Sequence, residues 1–239
     1  MKHPRLIPAA AGAICVLLLV ACSTPGADPT PSPAPSANAA ETVAPTADPV
    51  TAVLVTLSTE SLTITNDNNT VASTFTYFDA ADTVATAFTA AFGTTPTYTD
   101  VTNPSEGFPY RLFEWKGFIL RDESAYALAN PPYGRHLHIG TTTREVGGVK
   151  IQAADGTAVG DETGSVLALY PDTNPFDSPT GDGTEYYFFE TDRVEIHDAD
   201  GSPVLDADGS AVSFFTGLVG VAGGGITGIG APSGGPSRF

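Results

Sequence analysis

The chain has 239 residues, 27 acidic against 10 basic side chains, and a formal net charge of −17. A surface this acidic argues against nucleic-acid binding, because phosphate contacts need clustered lysine and arginine. It keeps the chain soluble, repels anionic lipid and anionic wall polymers, and makes cations plausible partners without marking a site for one.

The chain opens with a targeting layout. Lys2 and Arg5 precede an uninterrupted apolar or small run, Ala9 to Ala21, too short for a spanning helix of about 20 residues. It ends Leu19-Val20-Ala21-Cys22. That ending resembles the bacterial lipoprotein signal, in which the cysteine thiol receives a diacylglyceryl group before cleavage. The resemblance implies a signal peptide over residues 1–21 and a lipidated Cys22 as the first mature residue, open to labelling by palmitate. Two acyl chains give stable attachment where one holds only marginally, at about 0.8 kcal/mol per buried methylene. Ser23 follows, which by the same resemblance would not retain the protein at an inner membrane. Loss of Lys2 and Arg5 with the signal takes the charge from −17 to −19. Only Lys116 and Lys150 remain as lysines, in a chain rich in Ala, Thr, Gly and Asp. That bias resembles high-GC actinobacteria and implies the outer face of the plasma membrane, exposed to the cell wall.

The only cysteines are Cys15 and Cys22, so a mature chain has no disulfide and relies on an ordinary apolar core. After Cys22, the tether expected over residues 22–50 is rich in Ser, Thr, Ala and Pro from Ser23 to Pro49, with three acids and no aromatic residue. Proline lacks the helical donor and blocks the preceding turn, so this reads as an extended, disordered tether. Its 27 residues from Ser23 to Pro49 reach roughly 80 Å at most in polyproline II.

The folded body is expected over 51–230, with 231–239 as a flexible tail. Val53, Val55 and Leu57, then Leu62 and Ile64, then Phe75 and Tyr77 alternate with polar residues and predict strands. Asn66-Asp-Asn-Asn69 is turn chemistry, making Leu62–Tyr77 a hairpin. Asp79 is the expected cap of a helix carrying Val84, Phe88 and Phe92 on one face, ended by Gly93 and Pro96. Tyr110–Trp115 and Phe118–Arg121 flank Lys116-Gly117 as a second hairpin. Short strands follow at His136–Ile139 and Val149–Ile151. Asp161 is the expected cap of a short helix through Val166, Leu169 and Tyr170, stopped by Pro171. Tyr186–Glu190, a turn, and Val194–Ile196 close the reading. The predicted fold class is α+β, mostly antiparallel sheet with one or two short helices packed on it. Phe113-Glu114 and Phe189-Glu190 lie 76 apart, as do Phe118 and Val194, and Leu120 and Ile196, so a tandem duplication (51–130, 131–230) is one reading.

With its Gly160-Asp161 turn into a Val…Tyr-Pro helix, the body resembles uncharacterised actinobacterial exported lipoproteins, a likeness that implies location and shape only. Its duplicated helix-then-sheet order is similar to β-lactamase inhibitory protein-like modules; inhibition does not carry over from element order.

Sites are sparse. Asp198-Ala-Asp-Gly-Ser202 recurs as Asp206-Ala-Asp-Gly-Ser210, so Asp198, Asp200, Asp206 and Asp208 are candidate calcium ligands. The extra acids and closing glutamate of an EF-hand loop are missing, and Asp-Gly is also hairpin-turn chemistry. His136 and His138 would share a strand face, with His197 the remaining candidate for a third zinc ligand. Gly223-Gly-Gly225-Ile-Thr-Gly228 matches G-x-G-x-x-G but leads into Ile-Gly-Ala-Pro rather than a helix. Asp161-Glu162 beside a helix start reads as dipole partners before acid/base groups. There is no G-x-S-x-G, no H-E-x-x-H and no free mature cysteine. The expectation is therefore a binding or scaffold module without a cofactor, more an interaction protein than an enzyme, facing an envelope protein or polymer. Its surface would be an aromatic patch near Tyr110, Phe113, Trp115 and Phe118. The alternatives are a wall-associated hydrolase with a carboxylate pair and a calcium-dependent adhesion module.

Overall fold

The computed structural model describes residues 51–102, 108–125, 135–178, 181–198, 200–205 and 209–234. Alternating Val and Thr generate the first three strands, β1 (Ala52–Leu57), β2 (Ser61–Asn66) and β3 (Val71–Thr76), joined antiparallel through the Asn-rich turn. Helix α1 (Ala81–Phe92) follows, then β4 (Thr97–Val101), β5 (Tyr110–Trp115), β6 (Phe118–Asp122) and β7 (Leu137–Thr141). After β8 (Glu145–Val146) and β9 (Val149–Ala153) comes α2 (Thr163–Leu169). The chain closes with β10 (Pro175–Asp177), β11 (Glu185–Glu195), β12 (Ser213–Val221) and β13 (Ile226–Gly234).

These strands build two sheets. The smaller runs β3-β2-β1-β9-β8 and the larger β10-β11-β12-β13-β7-β6-β5-β4. Every pairing is antiparallel except β1 with β9, where the crossover through α1 and the larger sheet brings Val55 beside Ile151 in parallel. The fold is thus α+β, sheet-dominated, with two helices among the described residues.

One contiguous core serves both sheets. Val55, Leu57, Leu62 and Ile64 of the smaller sheet join Phe113, Trp115, Phe118, Leu120, Phe189 and Leu218 of the larger. Helix α1 contributes Val84, Phe88 and Phe92, the four-residue spacing that puts them on one face. Phe88 lies 4.9 Å from Phe118 and 6.1 Å from Trp115 between ring centroids, edge to face, and stacks on Phe92 at 5.4 Å. The Trp115 indole donates to the Thr94 carbonyl at 3.0 Å, giving its one polar atom a partner. Gly93, at φ 66°, ends the helix in the left-handed region and donates to the Thr89 carbonyl.

Several expectations need correction. The N-cap of α1 is Ala80, with no side-chain cap; Asp79 instead accepts from the Thr76 amide at 2.6 Å and closes the preceding turn. The N-cap of α2 is Glu162, while Asp161 accepts from the Ala158 amide and pairs with Arg144. Tyr186 to Val194 is one strand, not two. The expected turn is a bulge between Thr191 and Val194, where Asp192 takes φ 54° and its carboxylate accepts from the Thr59 amide at 2.8 Å. The offset of 76 consequently pairs Phe118, which opens β6, with Val194 inside β11. Strands β12 and β13 were not expected, and β13 carries sheet structure to Gly234, past the expected boundary at 230. Gly223 and Gly224 lie in the turn joining them.

Candidate binding surface

The expected aromatic patch is core. Phe113, Trp115 and Phe118 are 7%, 2% and 0% exposed, because that face of the hairpin packs beneath α1. Tyr110 is half-buried and carries the Arg121 guanidinium 3.9 Å above its ring. A hairpin with one buried face reads like an aromatic patch in sequence; the packing of Phe88 and Phe92 against it decides otherwise.

The metal candidates separate as well. The Asp198 carboxylate accepts from the amides of Asp200 and Ser202, both at 2.9 Å, so it serves a tight turn. Asp206 and Asp208 lie outside the described residues. His138 contacts Glu123 at 3.1 Å, His136 meets the Phe78 ring edge-on, and His197 sits 4.0 Å from Glu195. Among the described residues no three such side chains converge on a common point.

The most buried acids are neighbours at the end of β6, yet they engage different partners. Asp122 binds Arg111 at 2.6 Å and the Ser124 hydroxyl; Glu123 binds Arg121 at 2.8 Å and His138. Burial pushes the Asp122 carboxyl up, but the Ser124 hydroxyl and Arg111 outweigh it and hold the group below the usual carboxylate range. A hydrolase pair needs two carboxyls facing one bond with one acid raised. Asp122 and Glu123 face different partners, and Asp122 is held low rather than raised.

Three clefts among the described residues bear on a binding role. The first, about 250 Å³, holds Arg111 and Asp122, which satisfy each other. The second, about 420 Å³, lies at the start of α2 and is lined by Asp155, Asp161 and Glu162. The two aspartates are committed: Asp155 accepts from the Thr157 amide and the Tyr170 hydroxyl, Asp161 from Ala158 and Arg144. Burial, with the Asp155 contact, pushes the Tyr170 phenol up to about 12.

The third cleft differs. It encloses about 400 Å³ between the chain leaving α2 (Leu169–Asn174) and Phe188 and Glu190 of β11. It opens because β10 pairs only with Glu185–Tyr187, so the following residues of β11 lose their strand neighbour on that side. Phe188 and Glu190 share the face of β11 opposite the buried Phe189. Tyr186 lies on the same face, opposite Phe176 of β10, and the two rings stack at 5.9 Å. Phe188 meets Phe215 edge-to-face at 5.8 Å and lies across Gly217, where an added Cβ would come within 2.9 Å of its ring. Phe176 and Phe188 are 42% and 38% exposed, side by side on one sheet face, whereas Val71, Phe78, Tyr98 and Leu205 stand on separate elements. A strip of adjacent exposed rings beside a cleft marks an interaction surface where scattered single residues do not.

Sequence reading passed over this strip, although Tyr186-Tyr-Phe-Phe189 held the signal. Four consecutive aromatics on a strand cannot all face one core, so two of them must point outward.

No family model, no curated protein and no solved structure matches this chain.

Proposed function

We propose that this chain is a lipid-anchored protein of the outer face of the plasma membrane, whose body is a binding module working through the strip Phe176, Tyr186 and Phe188. The observation that carries the binding role is that strip. Its rings lie on adjacent strands of one sheet face, Phe176 and Phe188 exposed and Tyr186 half-buried between them, and Phe188 borders a cleft. Rigid aromatic side chains on a sheet present apolar area at low entropic cost, which is what a recognition surface needs. The anchor is supported by Leu19-Val-Ala-Cys22 and the positive start before it, and the spacer by the proline-rich stretch to residue 50. The buried core cluster draws on residues 55–231, which supports a body that folds without the leader and tether. The partner is an envelope protein or polymer.

Two measurements test this. Cys22→Ala is expected to abolish metabolic labelling by palmitate; label persisting on the variant would overturn the anchor. The chain from Ala47, mixed with isolated envelopes of a high-GC Gram-positive bacterium, is expected to co-sediment with them. Phe188→Ala should cut the bound fraction at least tenfold, while Tyr98→Ala, an exposed ring on β4, should leave it unchanged. Binding indifferent to Phe188 would overturn the surface assignment.

A further inference from the structure

Resting on that binding surface, we infer that its cleft is a saccharide site taking the pyranose units of a neutral polysaccharide. A pyranose is amphipathic: one face presents C–H groups, the rim presents hydroxyls. The cleft offers matching halves. Tyr170 and Phe188 supply aromatic carbon; Asp172, Thr173, Asn174 and Glu190 supply short polar side chains around it. Ring faces take C–H groups through their negative quadrupole, and carboxylate and amide oxygens accept from hydroxyls.

Its two rings separate this cleft from the second, whose lining has none, and from the first, whose one ring, Tyr110, is covered by Arg121. In those clefts Asp122, Asp155 and Asp161 already bind protein donors. Here the Asp172 carboxylate has no hydrogen bond or ion pair among the described residues, and only the amide nitrogen of Asn174 is placed, 3.5 Å from the Asp172 carbonyl. The Asp172 carboxylate and the Asn174 amide oxygen therefore stand free for hydroxyl donors, while Glu190 is shared with Arg193. Size agrees, since about 400 Å³ falls inside the range of roughly 300–1,000 Å³ typical of small-molecule pockets.

Charge narrows the class. With Asp172 and Glu190 on the lining and −17 over the chain, a phosphate- or sulfate-bearing polymer is repelled. A basic peptide finds one of the two carboxylates already neutralised, because Glu190 is paired with Arg193. A neutral polyol needs acceptors rather than net charge. The strip also runs beyond the cleft to Tyr186 and Phe176, giving further rings on which neighbouring units stack, so the ligand is a chain rather than a single sugar.

The test uses the chain from Ala47 with three neutral hexasaccharides, cellohexaose, chitohexaose and maltohexaose, by saturation-transfer NMR and titration calorimetry. At least one is expected to receive saturation, strongest on ring C–H protons. Phe188→Ala should weaken it at least tenfold and Asp172→Asn severalfold, with Tyr98→Ala unchanged. Thermal melts accompany each variant. Should Phe188→Ala fail to fold, Phe176→Ala and Asp172→Asn carry the same expectation. Silence from all three sugars, or affinities indifferent to these variants, would overturn the proposal. If the sugars are silent while envelope co-sedimentation still depends on Phe188, the saccharide assignment fails and the binding surface stands. Phe188-dependent capture of a lysine-rich decapeptide with silent sugars would give the cleft to basic peptides. Loss of Phe188 dependence in both experiments removes the surface and its ligand together.

Discussion

Phe88 is fully buried and touches Phe92, Trp115 and Phe118, so it joins α1 to the hairpin below it. Phe88→Ala should cost about 3–5 kcal/mol, the range for emptying a buried aromatic site. Asp79→Ala should cost about 1 kcal/mol, because it removes a turn-closing bond rather than a helix cap. Urea melts of the two variants check both values, and a near-neutral Phe88→Ala would contradict the packing. Asp122 makes a pH-dependent contribution. Its folded carboxyl sits below its unfolded value of about 3.9, so it stabilises the fold above that pH and ceases to as pH falls through the folded value. Asp122→Asn should therefore cost about 2 kcal/mol at pH 7, as for a lost charge-assisted bond, and progressively less towards pH 3. Melts at pH 7, 4 and 3 read the trend; a cost that grows with acid would reverse the sign.

At the scale of elements, β1, β2, β5 and β6 were legible because each has one buried face and so alternates apolar with polar residues. Lys116-Gly117, both at positive φ, marks the turn between β5 and β6 as plainly as the asparagines mark the earlier one. Strand β12 was not legible for a physical reason. Ser213 to Leu218 is buried on both faces, which erases the period of two, and Gly217 and Gly220 dilute what apolar signal remains. Those glycines have packing roles that no single sequence reveals. Gly217 makes room for Phe188, and Gly220 for Thr163, whose Oγ1 would be 2.8 Å from an added Cβ. The bulge at Asp192 was likewise read as a turn, since a residue suited to positive φ serves either. Gly217→Ala tests the role of its position. The ring of Phe188 must move by a few tenths of an ångström or more, while Gly217 itself needs no positive φ. The variant is expected to keep its melting temperature within a few degrees and to lose envelope binding about as strongly as Phe188→Ala. Unfolding instead would show that the position serves the sheet and not the ring.

Across the molecule, stability rests on one apolar core shared by two sheets and α1, with no cysteine after Cys22. The melting temperature of the chain from Ala47 should thus be indifferent to reductant. It should also be indifferent to EDTA, since no three metal-ligating side chains converge among the described residues. A drop of more than a few degrees with EDTA would instead place a bound cation on the fold. The whole-molecule plan was partly open to sequence: sheet dominance and the two helices were, but not the order of the strands. The pairing of β13 with β7 and of β1 with β9 joins segments far apart in the chain, and neither alternation nor turn chemistry encodes such partners. The binding surface followed the same limit. Tyr110–Trp115 and Tyr186–Phe189 are both rich in aromatics, and the position of α1 over the first buries Phe113 and Trp115 while Phe188 of the second stays exposed.

Amide chemical-shift mapping tests that choice most directly. The isotope-labelled chain from Ala47 is titrated with solubilised envelope fragments. The expected shifts cluster on residues 170–177, 185–190 and Gly217, the cleft and the aromatic strip beside it. Shifts confined to the hairpin from Tyr110 to Asp122, or spread evenly over the fold, would contradict the assignment.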